Sequence, residues 1–191
     1  SKYIFTTGVG NHQMWACQFI KWSHPKSIIS SGSLGVMGAG LPYAVGAQIA
    51  NPSKNIILID GDSSFNMTLT DLKTVKEHSL PIKIIIMNDG NQNMVRVWEQ
   101  LFFDERITAT KNIHNPDYYN LARSYGINSI RCDHATNLED SIKYFLDYKG
   151  PILLECKVES DKCFPLNPPG KALDNMILED LKINMGTEIP N

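Results

Sequence analysis

The chain has 191 residues, 42% of them hydrophobic, and a formal net charge of −2 at neutral pH. This length suffices for one well-buried core. The near-neutral charge and the scattered Lys and Arg residues exclude a basic nucleic-acid-binding face, and no apolar run approaches the roughly 18 residues of a membrane span. We therefore expect a protein of an aqueous compartment, with no nucleic-acid or membrane partner.

The cysteines and the first residues indicate the redox compartment of the protein and whether the sequence is part of a longer one. Cys17, Cys132, Cys156 and Cys163 form no Cys-x-x-Cys pair, and none lies at metal-binding spacing from a histidine, so we expect reduced thiols in a reducing compartment. The chain opens on Ser1 and reaches strand-like sequence almost at once. We expect it to be a piece of a longer polypeptide.

Strand-length apolar runs alternate with helical patterns along the chain. In order, the patterns predict strands at 3–7 and 28–30, a helix at 42–50, a strand at 55–60, a helix at 65–78, a strand at 82–87, a helix at 118–125, a strand at 128–132, a helix at 138–148 and a strand at 152–158. This alternation predicts an α/β fold, a three-layer parallel β-sheet flanked by helices on both faces. We expect residues 1–160 to form the domain and residues 161–191 to be a tail that wraps it.

The turn Gly61-Asp62-Ser63-Ser64 lies between a predicted buried strand and a predicted helix. Gly61 permits close approach of the backbone, and the N–H groups of Ser63 and Ser64 would favour an anion at the helix N-terminus. Asp62 would repel that anion unless a cation lies between them, which predicts a phosphate bridged to Mg²⁺. Taken alone, the tetrapeptide is more often an ordinary turn in which Ser caps the helix.

A second acidic turn, Asn88-Asp89-Gly90, follows the next predicted strand and is by itself also a common turn signal. Neighbouring parallel strands would bring Asp89 beside Asp62 at the same edge of the sheet. Two carboxylates, two phosphate oxygens, a backbone carbonyl and a water would complete the octahedron that Mg²⁺ requires. The pairing predicts a site for a diphosphate and a metal ion.

The two turns together resemble the Gly-Asp-x … Asn-Asn motif of thiamine-diphosphate-dependent enzymes. Asp89 replaces the final Asn, which in that motif binds the metal through its amide oxygen. A carboxylate also binds Mg²⁺, but it adds negative charge beside the diphosphate.

Longer blocks are similar to the catalytic subunit of acetohydroxyacid (acetolactate) synthase, over most of the chain and in the family's order. Residues 9–15, V-G-N-H-Q-M-W, are similar to the family's V-G-Q-H-Q-M-W; residues 31–42 to S-G-G-L-G-x-M-G-x-G-L-P; 61–72 to G-D-x-S-F-N-M-x-x-x-x-L; 94–98 to M-V-x-x-W; and 165–173 to a Pro/Gly-rich stretch.

The resemblance implies thiamine diphosphate and Mg²⁺ as cofactors. The backbone near Gly35 would hold the aminopyrimidine, Met37 would wedge beneath the bent cofactor, and Asn11 and His12 would reach the diphosphate. Met37 as core filling and His12 as a structural histidine are the alternatives. The implied metal ligands are Asp62, Asp89 and the backbone oxygen of Asn91. The implied cofactor-binding residues are Val9, Gly10, Asn11, His12, Gly35, Met37, Gly61, Asp62, Ser63, Ser64, Asp89, Asn91 and Met94.

The implied substrate residues are Gln18, toward the substrate channel, and Met94, Val95 and Trp98 at its entrance, where Trp98 favours the larger second 2-ketoacid. For Val95 and Trp98, packing on one helix face is the alternative. Asn93 stands where the family has Gly, and Asn tolerates a positive φ better than other non-glycine residues.

The implied activity condenses pyruvate with a second 2-ketoacid, pyruvate or 2-ketobutyrate, with loss of CO₂, in branched-chain amino-acid biosynthesis. The family's activating Glu lies on the N-terminal domain of a partner subunit and its FAD largely on a middle domain. We expect both domains outside this chain, so we assign it no catalytic acid or base.

The implied partners are a second catalytic subunit, in a homodimer, and a regulatory small subunit. The implied location is the cytoplasm of a bacterium, or the plastid or mitochondrion of a eukaryote. The alternatives are another thiamine-diphosphate-dependent 2-ketoacid decarboxylase and a non-catalytic binding module.

Overall fold

Six parallel strands form one sheet in the computed structural model, which describes residues 2–178, and their order is β2-β1-β3-β4-β6-β5. Every neighbouring pair runs parallel. The predicted α/β class is therefore confirmed. The strands are β1 (Tyr3–Thr7), β2 (Ile28–Ile29), β3 (Asn55–Gly61), β4 (Lys83–Asn88), β5 (Asn128–Cys132) and β6 (Ile152–Lys157).

The helices connect these strands. They are α1 (Asn11–Phe19), α2 (Gly40–Ala50), α3 (Asp62–Asn66), α4 (Leu72–Glu77), α5 (Asn93–Phe102), α6 (Tyr118–Ser124) and α7 (Leu138–Asp147). The predictions located α2, α6 and α7 to within two residues at each end. They did not include α1, and they considered helix at α5 only as an alternative for Val95 and Trp98. Within residues 2–178, no helix is both long enough and apolar enough to cross a membrane.

The core lies on both faces of the sheet. Along β4, Ile84 and Ile86 belong to a cluster that includes side chains of α2, α4 and α6. The intervening Ile85 and Met87 pack on a second cluster around Phe145 of α7. Because successive side chains of a strand point to opposite faces, the central strands are buried on both sides. This explains why they consist of unbroken apolar runs.

The predicted continuous helix at residues 65–78 was wrong. The chain instead forms α3, a single 3₁₀ turn at Leu69–Asp71, and α4. The break occurs where Thr68 leaves the helical conformation, at φ −134°, and its hydroxyl donates to the carbonyl of Gly38 at 2.7 Å. The glycine-rich loop thus bends the helical region through a contact between residues 30 positions apart.

The chain after β6 also packs against the domain, where the side-chain amides of Asn11 and Gln18 donate to the carbonyls of Asp161 and Phe164. Leu166 pairs with Ile177, and a 3₁₀ turn covers Leu173–Asn175. Residues 179–191 of the predicted tail lie outside the described residues, so its wrapping role stays a prediction. All four cysteines are free thiols; Cys17 is exposed and the other three are buried.

Lys83 is a buried cation at the start of β4. Its Nζ donates to the carbonyl of Tyr148 and, at 3.4 Å, to that of Gly150, and thereby ties the end of α7 to the sheet. Burial, assisted by the positive charge of Lys149, lowers the pKa of Lys83 from 10.5 to about 8.

Replacing this lysine by Met is expected to change how stability depends on pH. Unfolded Lys83 holds a proton up to pH 10.5 and folded Lys83 only up to about 8, so between these values the unfolded state binds more protons. The contribution of Lys83 therefore makes the free energy of unfolding rise with pH across this window. Urea unfolding should show that the free energy of unfolding of the wild type rises relative to that of Lys83→Met across this pH window. Below the window the difference between the two proteins should be constant. A difference independent of pH across the window would contradict the assignment.

Candidate functional site

The candidate site lies where two neighbouring strands send their connections in opposite directions. β1 leads through α1 to β2 on one side, and β3 leads through α3 and α4 to β4 on the other. In an open parallel sheet, such a divergence leaves a crevice at the carboxyl ends of the strands. A cavity of about 220 Å³ lies here, lined mainly by residues that follow β1, β3 and β4.

The cavity brings together residues from separate stretches of the sequence. Every residue predicted to bind the cofactor lines it, namely Val9, Gly10, Asn11, His12, Gly35, Met37, Gly61, Asp62, Ser63, Ser64, Asp89, Asn91 and Met94. Val95, predicted to contact substrate, lines it too. Lining residues without a predicted role are Trp15, Met87, Gln92 and Val158, together with Asn93.

Two of the predicted substrate residues are not among those lining the cavity. Gln18 donates instead to the carbonyl of Phe164 at 2.9 Å. Trp98 packs edge-on against Phe102, with ring centroids 5.3 Å apart. This contact is the i, i+4 helix-face packing that the sequence left open as the alternative.

Asp62, at the start of α3, is almost fully buried, and its two carboxylate oxygens differ in their surroundings. Oδ2 accepts from the side-chain amides of Asn112, at 2.8 Å, and Asn115, at 2.5 Å. The Tyr118 hydroxyl donates to the Asp62 carbonyl at 3.0 Å. Within residues 2–178 no hydrogen bond reaches Oδ1. That oxygen is therefore available to a ligand in the cavity.

Asp89 is the second carboxylate of the cavity. Burial raises its pKa to about 6, and the negative charge of Asp62 adds to this, although the Asn91 backbone N–H donates to Oδ1 at 2.9 Å and opposes the rise. Two close carboxylates are favourable when a cation lies between them. Within residues 2–178 no three His, Cys, Asp or Glu side chains cluster as a metal site. A cation here would need other oxygens besides those of Asp62 and Asp89.

A third carboxylate, Asp60, was not predicted from the sequence. It is fully buried; Oδ1 accepts from the Gly61 N–H at 3.0 Å and lies 3.3 Å from His12 Nε2. Neither that His12 nitrogen nor Asp60 Oδ2 makes a hydrogen bond in the described structure. The buried pair thus lies beneath the cavity with unsatisfied polar atoms, and such atoms are uncommon away from functional sites.

Glycines make room for these groups. A Cβ atom on Gly8 would lie 1.9 Å from Asp60 Oδ1 and 2.1 Å from Ser64 Oγ, and one on Gly61 would lie 2.7 Å from His12 Nδ1. Gly8 and Gly61 therefore let Asp60, Ser64 and His12 pack directly against the backbone. Because α3 has only five residues, its dipole is small. An anion would be held by the N–H groups of Ser63 and Ser64 themselves.

The loop that carries Met37 is fixed to α3. The Gly38 N–H donates to Ser64 Oγ at 2.9 Å, and Thr68 Oγ1 donates to the Gly38 carbonyl at 2.7 Å. Gly38 has a φ of 80°, a conformation that residues with a side chain rarely adopt. The backbone N–H and carbonyl of Gly38, the residue after Met37, are thus both hydrogen-bonded. This fixes the backbone that presents the Met37 side chain to the cavity.

The segment after β6, residues 160–164, crosses the edge of the cavity. The side-chain amides of Asn11, at 3.0 Å, and Asn93, at 2.7 Å, donate to the same carbonyl, that of Asp161. Asn93 Oδ1 also accepts from Ser160 at 2.9 Å. Asn11 therefore contacts this segment in the structure.

Comparisons with a family model and with known proteins agree with each other. The model of the family described as "Thiamine pyrophosphate enzyme, C-terminal TPP binding domain" matches residues 8–156. The chain is 44% identical over 180 residues to the mitochondrial acetolactate synthase of Schizosaccharomyces pombe, which covers 94% of this chain and 27% of that protein.

Two further relatives carry related names. The identity is 45% over 183 residues with the mitochondrial acetolactate synthase catalytic subunit of Saccharomyces cerevisiae, covering 94% of this chain and 26% of the relative. With the acetolactate synthase isozyme 2 large subunit of Escherichia coli it is 42% over 175 residues, covering 91% and 32%. The chain thus spans about a third or less of the length of these relatives. The resemblance drawn from the sequence blocks is confirmed.

Gly8, which packs against Asp60 and Ser64, gives a testable prediction. Gly8→Ala should force apart Asp60 and Ser64 and lower the free energy of unfolding by about 1–3 kcal/mol or more, as overpacking does. The matched control is Gly46→Ala in α2, where a Cβ meets nothing within 4 Å. That change should stabilise the protein by about 0.5–1 kcal/mol. Urea unfolding measures the change in the free energy of unfolding for both variants. Changes of the same sign would refute the packing described for Gly8.

Proposed function

The chain belongs to the thiamine pyrophosphate enzyme family, as its C-terminal TPP-binding domain, and from this premise we propose that it binds thiamine diphosphate together with Mg²⁺ in the cavity at the ends of β1, β3 and β4. The observation that carries the proposal is the meeting of Asp62 and Asp89 beside Ser63 and Ser64 in the lining of one cavity.

The diphosphate would lie beside the turn that begins α3. The N–H groups of Ser63 and Ser64 and the side chain of His12 would be its donors, and Gly10 and Gly61 let the His12 ring pack directly against the backbone. Asn11 donates to Asp161, so its contact with the diphosphate would run through a bridging water, as its short side chain suggests.

Mg²⁺ would lie between the diphosphate and the acidic turns. Asp62 Oδ1, the Asp89 carboxylate and the Asn91 backbone oxygen are its ligands from this chain, and diphosphate oxygens and a water complete the set. The bound cation removes the repulsion between the two carboxylates, which otherwise contributes to the raised pKa of Asp89.

The remaining lining residues would shape the cofactor. Met37, whose loop is anchored through Gly38, would support the cofactor in a bent conformation, and the backbone of Gly35 would hold its aminopyrimidine. When bound, thiamine diphosphate supplies the reactive carbon for 2-ketoacid decarboxylation and carbon–carbon bond formation. Met94 and Val95, which line the cavity, would contact substrate, and Gln18 and Trp98, which lie outside the lining, would act further along its path.

For the whole protein we propose acetolactate synthase activity, the condensation of pyruvate with pyruvate or 2-ketobutyrate in branched-chain amino-acid biosynthesis. The names of the relatives support it. A homodimer, FAD on another domain and a regulatory small subunit belong to the proposal, since the relatives include a catalytic and a large subunit. The location would be the cytoplasm of a bacterium, or a mitochondrion or plastid.

The cavity itself supports the need for a second chain. Its volume of about 220 Å³ is below the roughly 300–1,000 Å³ of ligand pockets that enclose their ligand. Among residues 2–178, no Glu lines it. A carboxylate that activates the aminopyrimidine would therefore come from a partner subunit.

Calorimetric titration of thiamine diphosphate with Mg²⁺ into the 191-residue chain should give saturable binding. Asp62→Asn should weaken it about 10-fold or more, because the metal loses a charged ligand held in a buried position. Asp140→Asn, at an exposed position of α7, is the matched control and should bind as the wild type does. No saturable heat with the wild type, or equal binding by Asp62→Asn, would sink the cofactor assignment.

The same chain, saturated with both cofactors, is expected to form no acetolactate from pyruvate, because no Glu of residues 2–178 lines the cavity to activate the aminopyrimidine. A colorimetric acetoin assay measures the product. Turnover by the chain alone would contradict the assignment of the activating group to a partner.

A further inference from the structure

We propose that Asn112 and Asn115 position the carboxylate of Asp62 for the metal ion, at the end of a chain of hydrogen bonds that starts at Glu155. The inference rests on the proposed function, because it assigns roles at the same metal site. The two asparagines contact a metal ligand and not the metal itself, so they are positioning residues.

The contacts at Asp62 are asymmetric. Both asparagine amides donate to Oδ2, and Asn112 also donates to Ser63 Oγ at 2.5 Å. With Oδ2 occupied twice, rotation of the carboxylate would cost two hydrogen bonds to a charged acceptor. Oδ1 is thereby kept as the oxygen offered to the cavity.

The hydrogen-bond partners of Asn88 and Asn115 determine which way each side-chain amide is oriented. Glu155, when ionised, only accepts, so Asn88 must present its NH₂ group, which donates to Glu155 Oε1 at 2.8 Å. The Asn88 oxygen then faces Asn115, whose NH₂ group donates to it at 3.2 Å and also to Asp62. A carboxylate at each end thus excludes the flipped amides.

Glu155 is a suitable fixed end for this series of hydrogen bonds. It is fully buried in β6, where burial by itself would raise its pKa. Hydrogen bonds from Lys157, Asn88 and Arg131 outweigh burial and hold the pKa of Glu155 below its ordinary value. The Arg131 and Lys157 nitrogens lie 2.9 and 2.8 Å from its oxygens. The starting acceptor is therefore ionised at neutral pH.

The backbone connects Asn112 and the residues before it to the second acidic turn. Asn112 N–H donates to the Gly90 carbonyl at 2.8 Å, and Gln92 N–H donates to the Thr110 carbonyl at 2.7 Å. Asn91 and Lys111 pair between them as an antiparallel bridge. The segment that holds Asp62 through its side chains thus holds the loop of Asp89 through its backbone. This sets the separation of the two carboxylates.

A metal-specific consequence follows. Mg²⁺ requires near-ideal octahedral geometry, whereas Ca²⁺ accepts varied coordination. A carboxylate that has lost its supports can still bind Ca²⁺, but it binds Mg²⁺ poorly. Loss of the asparagine amides should therefore change the selectivity between the two ions, and a general weakening of the fold would not.

The test is titration of Mg²⁺ and, separately, Ca²⁺ into the 191-residue chain in the presence of thiamine diphosphate. For Asn112→Ala and for Asn115→Ala, the Mg²⁺ affinity should fall about 10- to 100-fold and the Ca²⁺ affinity less than about threefold. Asn120→Ala is the control: among the described residues its exposed side-chain amide bonds only to Asp117, so both affinities should stay unchanged. Circular dichroism shows whether each variant folds. If Asn115→Ala does not fold, Asn112→Ala, in a partly exposed loop, is sufficient for the test.

Unchanged affinities, or equal losses for the two ions, would overturn the positioning role while leaving the cofactor assignment intact. Failure of the wild-type chain to bind either ion with thiamine diphosphate would instead refute the proposed function, and the role of the asparagines with it. The two failures are therefore distinguishable.

Discussion

Two carboxylates at the end of β3, Asp60 and Asp62, are almost completely removed from water. A buried carboxylate is unfavourable unless donors or a counter-charge surround it, and much of the surrounding structure meets this constraint. Gly8 has no side chain where one would strike Asp60, and His12 lies at ion-pair distance from it. Asparagine amides from a distant loop converge on Asp62. Asp62, unlike Asp60, lines the cavity, and a cation bound there would supply the counter-charge.

Much of the architecture could be predicted because burial leaves a strong signal in sequence. The run at residues 56–59 is apolar at every position since both faces of β3 are covered, and residues 152–154 show the same for β6. Parallel strands in turn bring their carboxyl ends together, so Asp62 and Asp89 could be expected at one edge of the sheet.

What escaped prediction depends on contacts between residues far apart in the chain. Asn112 and Asn115 lie in a loop without apolar periodicity, and each bonds to Asp62 about 50 residues away. Their sequence context, ending in a proline, is that of an ordinary turn. Asp60 read as the last residue of a strand, since nothing local shows that Gly8 and His12 surround it. The break after α3 was missed for the same reason, because Gly38 causes it from another loop.

Asn11 and Asn93 stand where the acetolactate synthase blocks have Gln and Gly, and both donate to the Asp161 carbonyl. A carbonyl oxygen has two lone pairs, so the two amides saturate it. The shorter side chain on α1 and the added one on α5 therefore share a single acceptor. Together they fasten two helices on either side of the cavity to one point of the chain after β6.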